Sequence, residues 1–505
     1  MANPLYDALF GIHAGKTTPF LILQDGTVWS HEGFLKTASQ MAQVLVQSGL
    51  HPGDRLAAQV AKSPEALALY AACVQAGIVF LPLNTAYTVD ELSYFIENSG
   101  ASMVVCDASG QDALAPIASE LGAQIETLNG DGTGTLTNKA NGMTGHFTPV
   151  DRSPDDLAAF LYTSGTTGRS KGAMLTQDNL LSNASTLAEF WRFSSDDVLL
   201  HALPIFHTHG LFVATNVSLI AGGSILFLPK FDLDAVLDLL PQATSMMGVP
   251  TFYTRLLGSP RFTKDLTDHM RLFVSGSAPL LAETHKEFQE RTGHRILERY
   301  GMTETNMNTS NPYDGDRRAG TVGMPLPGVE LKITDPDSGE TLPDGTIGQI
   351  EVRGPNVFKG YWQMPEKTAA ELRSDGFFIT GDLGKIDEDG YVHIVGRNKD
   401  LIISGGYNIY PKEIELILDD QPGVMESAVI GVPHADFGET VLGLIVAQPG
   451  QTVDLDAISE AARVSLAGFK QPRKLMAIDS LPRNTMGKVQ KNVLRERYND
   501  LFAPV

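Results

Sequence analysis

Cysteine is nearly absent from this sequence, in which 505 residues include two, Cys73 and Cys106. Both lie in apolar runs, which favours buried, reduced thiols over a disulfide framework or a metal site. Reduced thiols are typical of proteins of the cytosol, so the sequence predicts a cytoplasmic location.

Basic residues are also scarce. The sequence has 38 Lys and Arg residues against 59 Asp and Glu residues, which gives a formal net charge of −21. So acidic a chain is a poor non-specific ligand for nucleic acid or an anionic membrane, and we expect neither as a partner.

A long uninterrupted apolar run is missing as well. The most apolar stretch, residues 211–229, is broken by Thr, Asn, Ser and two adjacent glycines. It therefore predicts a buried helix and strand rather than a membrane span. Residues 1–11 lack the charged-then-apolar pattern of a signal peptide.

The first half of the chain alternates helix and strand patterns. Residues 31–49 carry apolar side chains at helical spacing and end on a glycine. Residues 63–77 begin with Ser63 as a predicted N-cap and end at Gly77, and a strand-like run follows. This alternation predicts a layered α/β domain, whereas residues 129–147 predict an exposed irregular loop.

From about Val322 the pattern changes to short strands and turns, which predicts a β-rich subdomain. The last ~100 residues suffice for a small α+β domain, read as helix–strand–strand–helix–strand. We place the boundary in the link Arg397–Asp400, so the predicted domains are residues 1–396 and 401–505.

The segment YTSGTTGRSKGAML, residues 162–175, interrupts two strand-like runs with hydroxyls, glycines and cations. Glycine N–H groups, Ser and Thr hydroxyls and the Lys171 ammonium together suit a phosphate chain. The segment is not a Walker A motif, because Gly172 follows Lys171 and a strand, not a helix, comes next. A mobile surface loop explains the glycines but not the clustered hydroxyls and cations.

Six segments together resemble the adenylate-forming superfamily, which contains acyl-CoA synthetases, firefly-type luciferases and the adenylation domains of peptide synthetases. They are YTSGTTGRSKG (162–172), GSAPL (276–280), YGMTET (300–305), TGDLG (380–384), GRNKDLIISGGYNIYPKEIE (396–415) and PRNTMGKVQK (482–491). The segments PIFHTHGLF and YGMTETNMNTSNPYDGDR are most similar to malonyl-CoA synthetases within this superfamily.

The resemblance implies a fold and a reaction. The fold is a large N-terminal layered α/β adenylation domain, with a β-rich subdomain, and a small mobile C-terminal domain. A carboxylate attacks the α-phosphorus of ATP and releases pyrophosphate, and the thiol of coenzyme A then displaces AMP from the acyl-adenylate. The expected partners are ATP, coenzyme A and malonate, with methylmalonate as the next substrate.

The resemblance also assigns roles in ATP binding and catalysis. Lys488, Glu304 and His207 are the expected catalytic residues, and Thr163 and Glu304 are expected to hold Mg²⁺. The expected ATP contacts are Thr163, Ser164, Gly165, Thr166, Thr167, Gly168, Lys171, Gly276, Ser277, Ala278, Tyr300, Gly301, Met302, Thr303, Asp382, Arg397 and Lys488.

Further roles concern the second half-reaction. Lys399 is the expected hinge of the link 397–400, and Ser404, Gly405 and Gly406 are expected beside coenzyme A. The resemblance also implies that a lysine acetyltransferase acts on Lys488, since acetylation would remove its charge.

A dicarboxylate substrate needs a cation for its distal charge, because an unpaired buried carboxylate is costly. Arg255 is our candidate, and the alternative is an ordinary surface arginine on a helix. The resemblance favours a position for Arg255 in the acid-binding pocket. His207, Ser277, Met302 and Met307 are the expected lining residues, and we expect no metal site at His207 and His209, because no further ligands are evident.

Other readings stay open at this point. A short-chain or aryl acyl-CoA synthetase is the alternative within the superfamily, and a luciferase-type oxygenase is a distant one. A nucleotide-binding module without catalysis is the alternative from another class. Residues 470–497, with eight basic and two acidic side chains, predict either a phosphate-attracting tail or an ordinary surface.

Overall fold

The computed structural model describes residues 2–163, 170–404, 407–434, 437–466, 468–484 and 487–502. The chain divides into two compact units. Unit 1 comprises Met1–Glu330 and Arg353–Phe378, and unit 2 comprises Leu331–Val352 and Ile379–Val505. The predicted link 397–400 lies within unit 2, and a domain boundary there stays a prediction.

Unit 1 holds two twisted sheets. Their strands are β1 (Pro19–Leu23), β2 (Val28–Ser30), β3 (Arg55–Gln59), β4 (Val79–Pro82), β5 (Met103–Cys106), β6 (Gln124–Thr127), β7 (Leu157–Thr163), β8 (Lys171–Thr176), β9 (Val198–His201), β10 (Ser224–Phe227), β11 (Ser245–Gly248), β12 (Leu272–Ser275), β13 (Leu297–Met302), β14 (Asn306–Ser310) and β15 (Met324–Pro325). One sheet has the order β15-β14-β13-β12-β11-β9-β10-β1-β2, and the other β6-β5-β3-β4-β7-β8. Neighbours from β3 to β7 pair in parallel, as the predicted alternation requires.

Helices accompany these sheets. They are α1 (Pro4–Leu9), α2 (His31–Gln47), α3 (Pro64–Ala76), α4 (Val89–Ser99), α5 (Gln111–Glu120), α6 (Thr135–Ala140), α7 (Gln177–Phe190), α8 (Asn216–Ala221), α9 (Leu233–Leu239), α10 (Pro250–Leu257), α11 (Lys264–Thr267), α12 (Ala282–Thr292) and α13 (Pro365–Glu371). The layered α/β fold predicted from the alternation is confirmed.

Helix α3 shows how local signals and burial agree. The Ser63 hydroxyl accepts from the Ala66 N–H, Pro64 takes the first helical position, and Gly77 ends the helix at a φ of +73°. Every residue of α3 except Glu65 is buried. A helix that is apolar on all sides is stable only inside a core, so α3 is a central element of unit 1.

The interpretation of residues 129–147 as an irregular loop is wrong in part, because α6 lies within it. Leu136 and Ala140, four residues apart, are buried on one face of α6. The Thr135 hydroxyl accepts from the Thr127 N–H at 2.8 Å and fixes the helix start. Tertiary burial thus stabilises a helix where the many glycines of the sequence predicted an irregular loop.

The apolar run 211–229 forms the buried helix and strand that were predicted. A π-helix, His209–Thr215, continues into α8, and β10 follows the left-handed Gly222. Among the described residues, no helix combines the length and apolarity needed to cross a bilayer. Cys73 and Cys106 are buried free thiols, as predicted, and burial raises the pKa of Cys106 to about 11.

A stacked histidine pair makes the stability of unit 1 depend on pH. The rings of His13 and His31 stack at 4.3 Å, both are 1% exposed, and the Lys16 ammonium lies 3.2 Å from His13. Burial, His13 and Lys16 together lower the pKa of His31 from 6.5 to about 4.

Unfolding should therefore become easier in mild acid. The unfolded His31 binds a proton below pH 6.5, whereas the folded side chain stays neutral until about pH 4. Stability is lost as the pH falls across this window, on the order of 2 kcal/mol between pH 7 and 5. His31→Phe should flatten this slope in urea unfolding, and the exposed control His51→Gln should not. Equal slopes in wild type and His31→Phe would contradict the assignment.

Unit 2 is built on β strands. They are β16 (Glu330–Thr334), β17 (Gly348–Arg353), β18 (Phe378–Ile386), β19 (Val392–Arg397), β20 (Ile402–Ser404), β21 (Tyr407–Ile409), β22 (Val424–His434), β23 (Gly438–Ala447) and β24 (Lys474–Ala477). One sheet has the order β16-β17-β18-β19, and the other β21-β20-β23-β22, with β24 also on β23.

Three helices of the described residues complete unit 2: α14 (Pro411–Asp419), α15 (Leu455–Ser465) and α16 (Lys491–Tyr498). The predicted order helix–strand–strand–helix–strand corresponds to α14, β22, β23, α15 and β24. Helix α16 is an addition that sequence reasoning missed. Its Leu494 is fully buried among residues of β22 and β23.

Candidate functional site

The predicted magnesium contacts of unit 1 lie beside each other. Thr163 ends β7, and Glu304 lies in the turn between β13 and β14. The Thr163 hydroxyl donates to the Glu304 carboxylate at 3.4 Å, and Glu304 is only 5% exposed. Gly301 allows this tight hairpin, because a Cβ there would lie 1.8 Å from the Asn306 carbonyl oxygen.

A tyrosine that sequence reasoning missed connects this carboxylate to a second one. The Tyr361 hydroxyl lies 3.1 Å from Glu304 Oε1 and 2.7 Å from Glu371 Oε2. A phenol has one proton, so it can donate to only one of these carboxylates at a time. Burial, followed by the charge of Glu304, raises the pKa of Tyr361, which stays protonated.

Lys171 belongs to the same network. Its ammonium lies 3.3 Å from Glu371 Oε2 and 4.1 Å from the Tyr361 ring centroid, and Lys171 is 8% exposed. Burial favours a protonated Glu371, but the hydrogen bonds from Lys367 and Tyr361 outweigh it and lower the pKa of that carboxyl. The predicted phosphate-loop lysine therefore has an internal counter-ion, Glu371, which no motif indicated.

Residues of the GSAPL motif follow β12. Ser277 adopts a φ of +70°, unusual for a residue with a Cβ, and its hydroxyl lies 3.2 Å from His209 Nδ1. Gly276 packs against a guanidinium, since a Cβ at Gly276 would lie 2.3 Å from Arg299 Cζ. The glycine is needed for this close approach.

Arg299 is the second functional candidate that sequence reasoning missed. It is 4% exposed on β13, and its Nε and Nη2 atoms are buried without a hydrogen-bond partner among the described residues. Burial lowers the pKa of Arg299 to about 9. The signal in the sequence was two adjacent charged residues, Glu298 and Arg299, directly before Tyr300.

The predicted acid-pocket residues differ in burial. His207 and Met302 are half-buried, whereas Met307 is 2% exposed within the core. Arg255 is exposed on α10, with its guanidinium 5.7 Å from the Phe231 ring centroid. Among the described residues, no carboxylate forms an ion pair with Arg255, so its charge is available to an external anion.

Among the predicted ATP contacts, Gly276–Ala278 and Tyr300 are expected to form the adenine slot, and Thr303 is expected to contact the α-phosphate. Tyr300, Gly301 and Met302 end β13, and Thr303 opens the turn before Glu304. Tyr300 is 8% exposed. These contacts stay predictions.

In unit 2, the two predicted ribose contacts come together. Asp382 on β18 and Arg397 on β19 are directly opposite in the antiparallel pair. Arg397 Nε lies 2.8 Å from Asp382 Oδ1, and Asp382 is 4% exposed. The ion pair fixes the carboxylate, whose oxygens suit the two hydroxyls of a ribose.

The remaining predicted residues of unit 2 are accessible. Lys399 is exposed in a 3-10 turn, Asn398–Asp400, and Ser404 ends β20. Lys488 is exposed, and its N–H donates to Asn484 Oδ1 at 2.9 Å. Several predicted contacts lie outside the described residues: Ser164, Gly165, Thr166, Thr167, Gly168, Gly405 and Gly406.

Half of the cations in the basic tail form ion pairs among the described residues. Four of its eight cations contact carboxylates within unit 2, in the pairs Lys470–Glu413, Arg483–Glu426, Lys491–Glu415 and Arg495–Asp400. These pairs favour an ordinary protein surface over a general attractor of polyphosphate.

Comparison with known proteins places the chain in a family. Residues 13–362 match the AMP-binding enzyme family, and residues 413–488 match its C-terminal domain. The chain belongs to the AMP-binding enzymes.

Individual relatives are similar over most of the chain. A malonate–CoA ligase of Arabidopsis thaliana is 36% identical over 83% of this chain and 74% of its own length. A feruloyl-CoA synthase of an Amycolatopsis species is 35% identical over 94% of each chain. The crystal structure of ATP-bound MatB from Rhodopseudomonas palustris matches with a TM-score of 0.97 and 61% identity, covering 99% of this chain and 100% of that one.

Proposed function

We propose that this enzyme is an AMP-forming acid–thiol ligase that converts malonate, ATP and coenzyme A into malonyl-CoA, AMP and pyrophosphate. The observation that carries the proposal is the 61% identity to MatB across 99% of the chain. The 36% identity to a curated malonate–CoA ligase supports the same acid. Methylmalonate is the expected second substrate.

The first half-reaction needs no general base, because a carboxylate with a pKa near ~4 is already ionised at pH 7. The enzyme must hold two anions together and neutralise charge at phosphorus. In this proposal Lys488 contacts the α-phosphate and the attacking carboxylate. Asp382 and Arg397 hold the ribose, and His207 contributes to the pocket wall.

Magnesium fits the residues at the end of β7. The Thr163 hydroxyl and the Glu304 carboxylate offer oxygen ligands, which this ion prefers, and the two groups lie 3.4 Å apart. When bound with ATP, the ion supplies positive charge to the phosphates. Tyr361 and Thr163 hold the Glu304 carboxylate in place for that contact.

The second half-reaction requires a different face of the predicted C-terminal domain, residues 401–505. We propose that Lys399, exposed in its turn, absorbs the backbone rotation, as residues at element ends do in hinges. Ser404, Gly405 and Gly406 would then border the pantetheine arm of coenzyme A. The cytoplasmic location and the acetylation of Lys488 remain predictions from the sequence and the resemblance.

An aryl acyl-CoA synthetase is the second candidate, because the feruloyl-CoA synthase covers more of this chain than the plant malonate–CoA ligase does, 94% against 83%. The two candidate functions require different protein contacts at the distal end of the acid. A dicarboxylate needs a cation such as Arg255, whereas an aryl acid needs an apolar cavity.

An acid panel separates the candidates. We expect pyrophosphate release with malonate to exceed that with methylmalonate about 10-fold in kcat/KM, and that with propionate, benzoate or ferulate at least ~100-fold, because the ionic contact selects for a second carboxylate. The assay compares reactions with and without coenzyme A and identifies the nucleotide product, which should be AMP. Ferulate as the best acid, or ADP as the product, would refute the proposal.

A further inference from the structure

The segment that carries Lys488 has the hydrogen bonds of a hairpin. Its arms are residues 482–484 and 487–491, and Lys491 at the end of the second arm is also the first residue of α16. Residues 485 and 486, which connect the arms, lie outside the described residues. The Gln490 N–H donates to the Pro482 carbonyl at 2.8 Å, and Arg483 and Val489 form an antiparallel bridge. We call these two arms the lysine hairpin.

Close to its tip, the lysine hairpin is tied by Asn484. The Asn484 N–H donates to the Lys488 carbonyl at 3.0 Å, and the Asn484 side chain accepts from the Lys488 N–H at 2.9 Å. These bonds fix the Lys488 backbone relative to the arms. The direction of the Lys488 side chain thus depends on what holds the arms themselves.

One ion pair holds the second arm. Lys491 Nζ lies 2.5 Å from Glu415 Oε1 on α14, and the same oxygen accepts from the Val429 N–H at 2.9 Å. Glu415 is 7% exposed. The charges of Lys491 and Lys412 outweigh its burial and lower the pKa of Glu415, which stays ionised.

A second ion pair holds the first arm. Arg483 pairs with Glu426 on β22, and its Nη1 donates to the Gly487 carbonyl at 2.6 Å. Arg483 therefore contacts both arms and β22 at once. A single guanidinium can do this because it has five donors in a fixed plane.

We propose that Glu415 and Glu426 are positioning residues, which anchor the lysine hairpin through Lys491 and Arg483 and so aim Lys488 for acyl-adenylate formation. The inference rests on the proposed role of Lys488. A loosened hairpin leaves the ammonium charged but poorly placed, and a misplacement of about 1 Å can cost roughly 100-fold in rate. The two carboxylates act through their partners and touch no substrate.

The test compares the two half-reactions. Lys491→Met should slow malonyl-adenylate formation about 10- to 30-fold and leave thioester formation from supplied malonyl-adenylate within about two-fold. Glu426→Gln should show the same asymmetry, and Lys491→Arg should retain most of the adenylation rate. Lys470→Met is the matched control, because it removes the Lys470–Glu413 pair on the same helix without touching the hairpin.

A second variant separates the loss of anchoring from an effect of misfolding. Lys491→Met alone leaves Glu415 buried, with the more distant Lys412, at 3.8 Å, as its counter-ion, whereas Lys491→Met with Glu415→Leu replaces the Lys491–Glu415 pair with an apolar contact. The double variant should fold by circular dichroism and keep the asymmetry. Trypsin should also cut after Lys488 about 10-fold faster in it, as mass spectrometry would detect.

Three results would overturn the inference: parallel loss in both half-reactions, no loss in either, or a loss of equal size in Lys470→Met. If wild type adenylates another acid and not malonate, the proposed substrate is wrong. The same comparison, made with that acid, still tests the anchoring of Lys488.

Discussion

Lys488→Ala should lower malonate-dependent pyrophosphate release about 1,000-fold. In the proposed mechanism its ammonium is the cation that bridges the α-phosphate and the attacking carboxylate, and one preorganised donor at developing charge is worth roughly 100- to 1,000-fold. The lysine side chain is exposed, so its removal should not disturb the core of unit 2. The measurement is pyrophosphate release with saturating ATP and malonate.

The same variant should form malonyl-CoA from supplied malonyl-adenylate at close to the wild-type rate, because Lys488 takes no part in the thiol attack. Lys474→Ala is the matched control, since it removes an exposed cation of the same tail from β24. It should leave both half-reactions unchanged. Loss of both half-reactions in Lys488→Ala would contradict the assignment.

Sequence reasoning succeeded where the determinants are local. The caps of α3, its apolar faces and the strand after it are written within a few residues, so that region could be predicted. The pairing of Asp382 with Arg397 agrees with their places in two motifs of the resemblance. These motifs lie 15 residues apart on adjacent antiparallel strands, and a hairpin brings their ends together.

It failed where partners are distant in the chain. Tyr361 and Glu371 surround Lys171 and Glu304, but they come from a later segment that pairs with the edge strand β8. No periodicity or motif connects residues about 200 positions apart, as Lys171 and Glu371 are. Such networks depend on the assembled sheet and are visible only in the fold.

Arg299 illustrates a further limit. In the sequence it is one of two charged residues in LERYG, and its burial against Gly276 depends on the packing of β12 beside β13. Arg255 is the opposite case, because the sequence left a pocket and a surface position on a helix open, and the structure shows the residue exposed on α10. Charge alone does not tell a core guanidinium from a surface one.

Arg255→Leu should reduce kcat/KM for malonate about 1,000-fold and change that for propionate less than three-fold. The distal carboxylate is bound in both ground and transition states, so the loss should appear chiefly as a raised KM. Arg255→Lys should be intermediate, because an ammonium cannot form the two parallel bonds of a guanidinium.

Arg261→Leu is the matched control for this prediction. Arg261 is also exposed, but its charge is already paired with Asp234 and Asp238. That variant should use malonate like wild type, because no free charge is lost. If Arg255→Leu uses malonate with wild-type kinetics, Arg255 does not bind the distal carboxylate of the substrate. The buried Arg299, whose Nε and Nη2 lack a partner among the described residues, would then be the cation to test, by the same comparison of malonate with propionate.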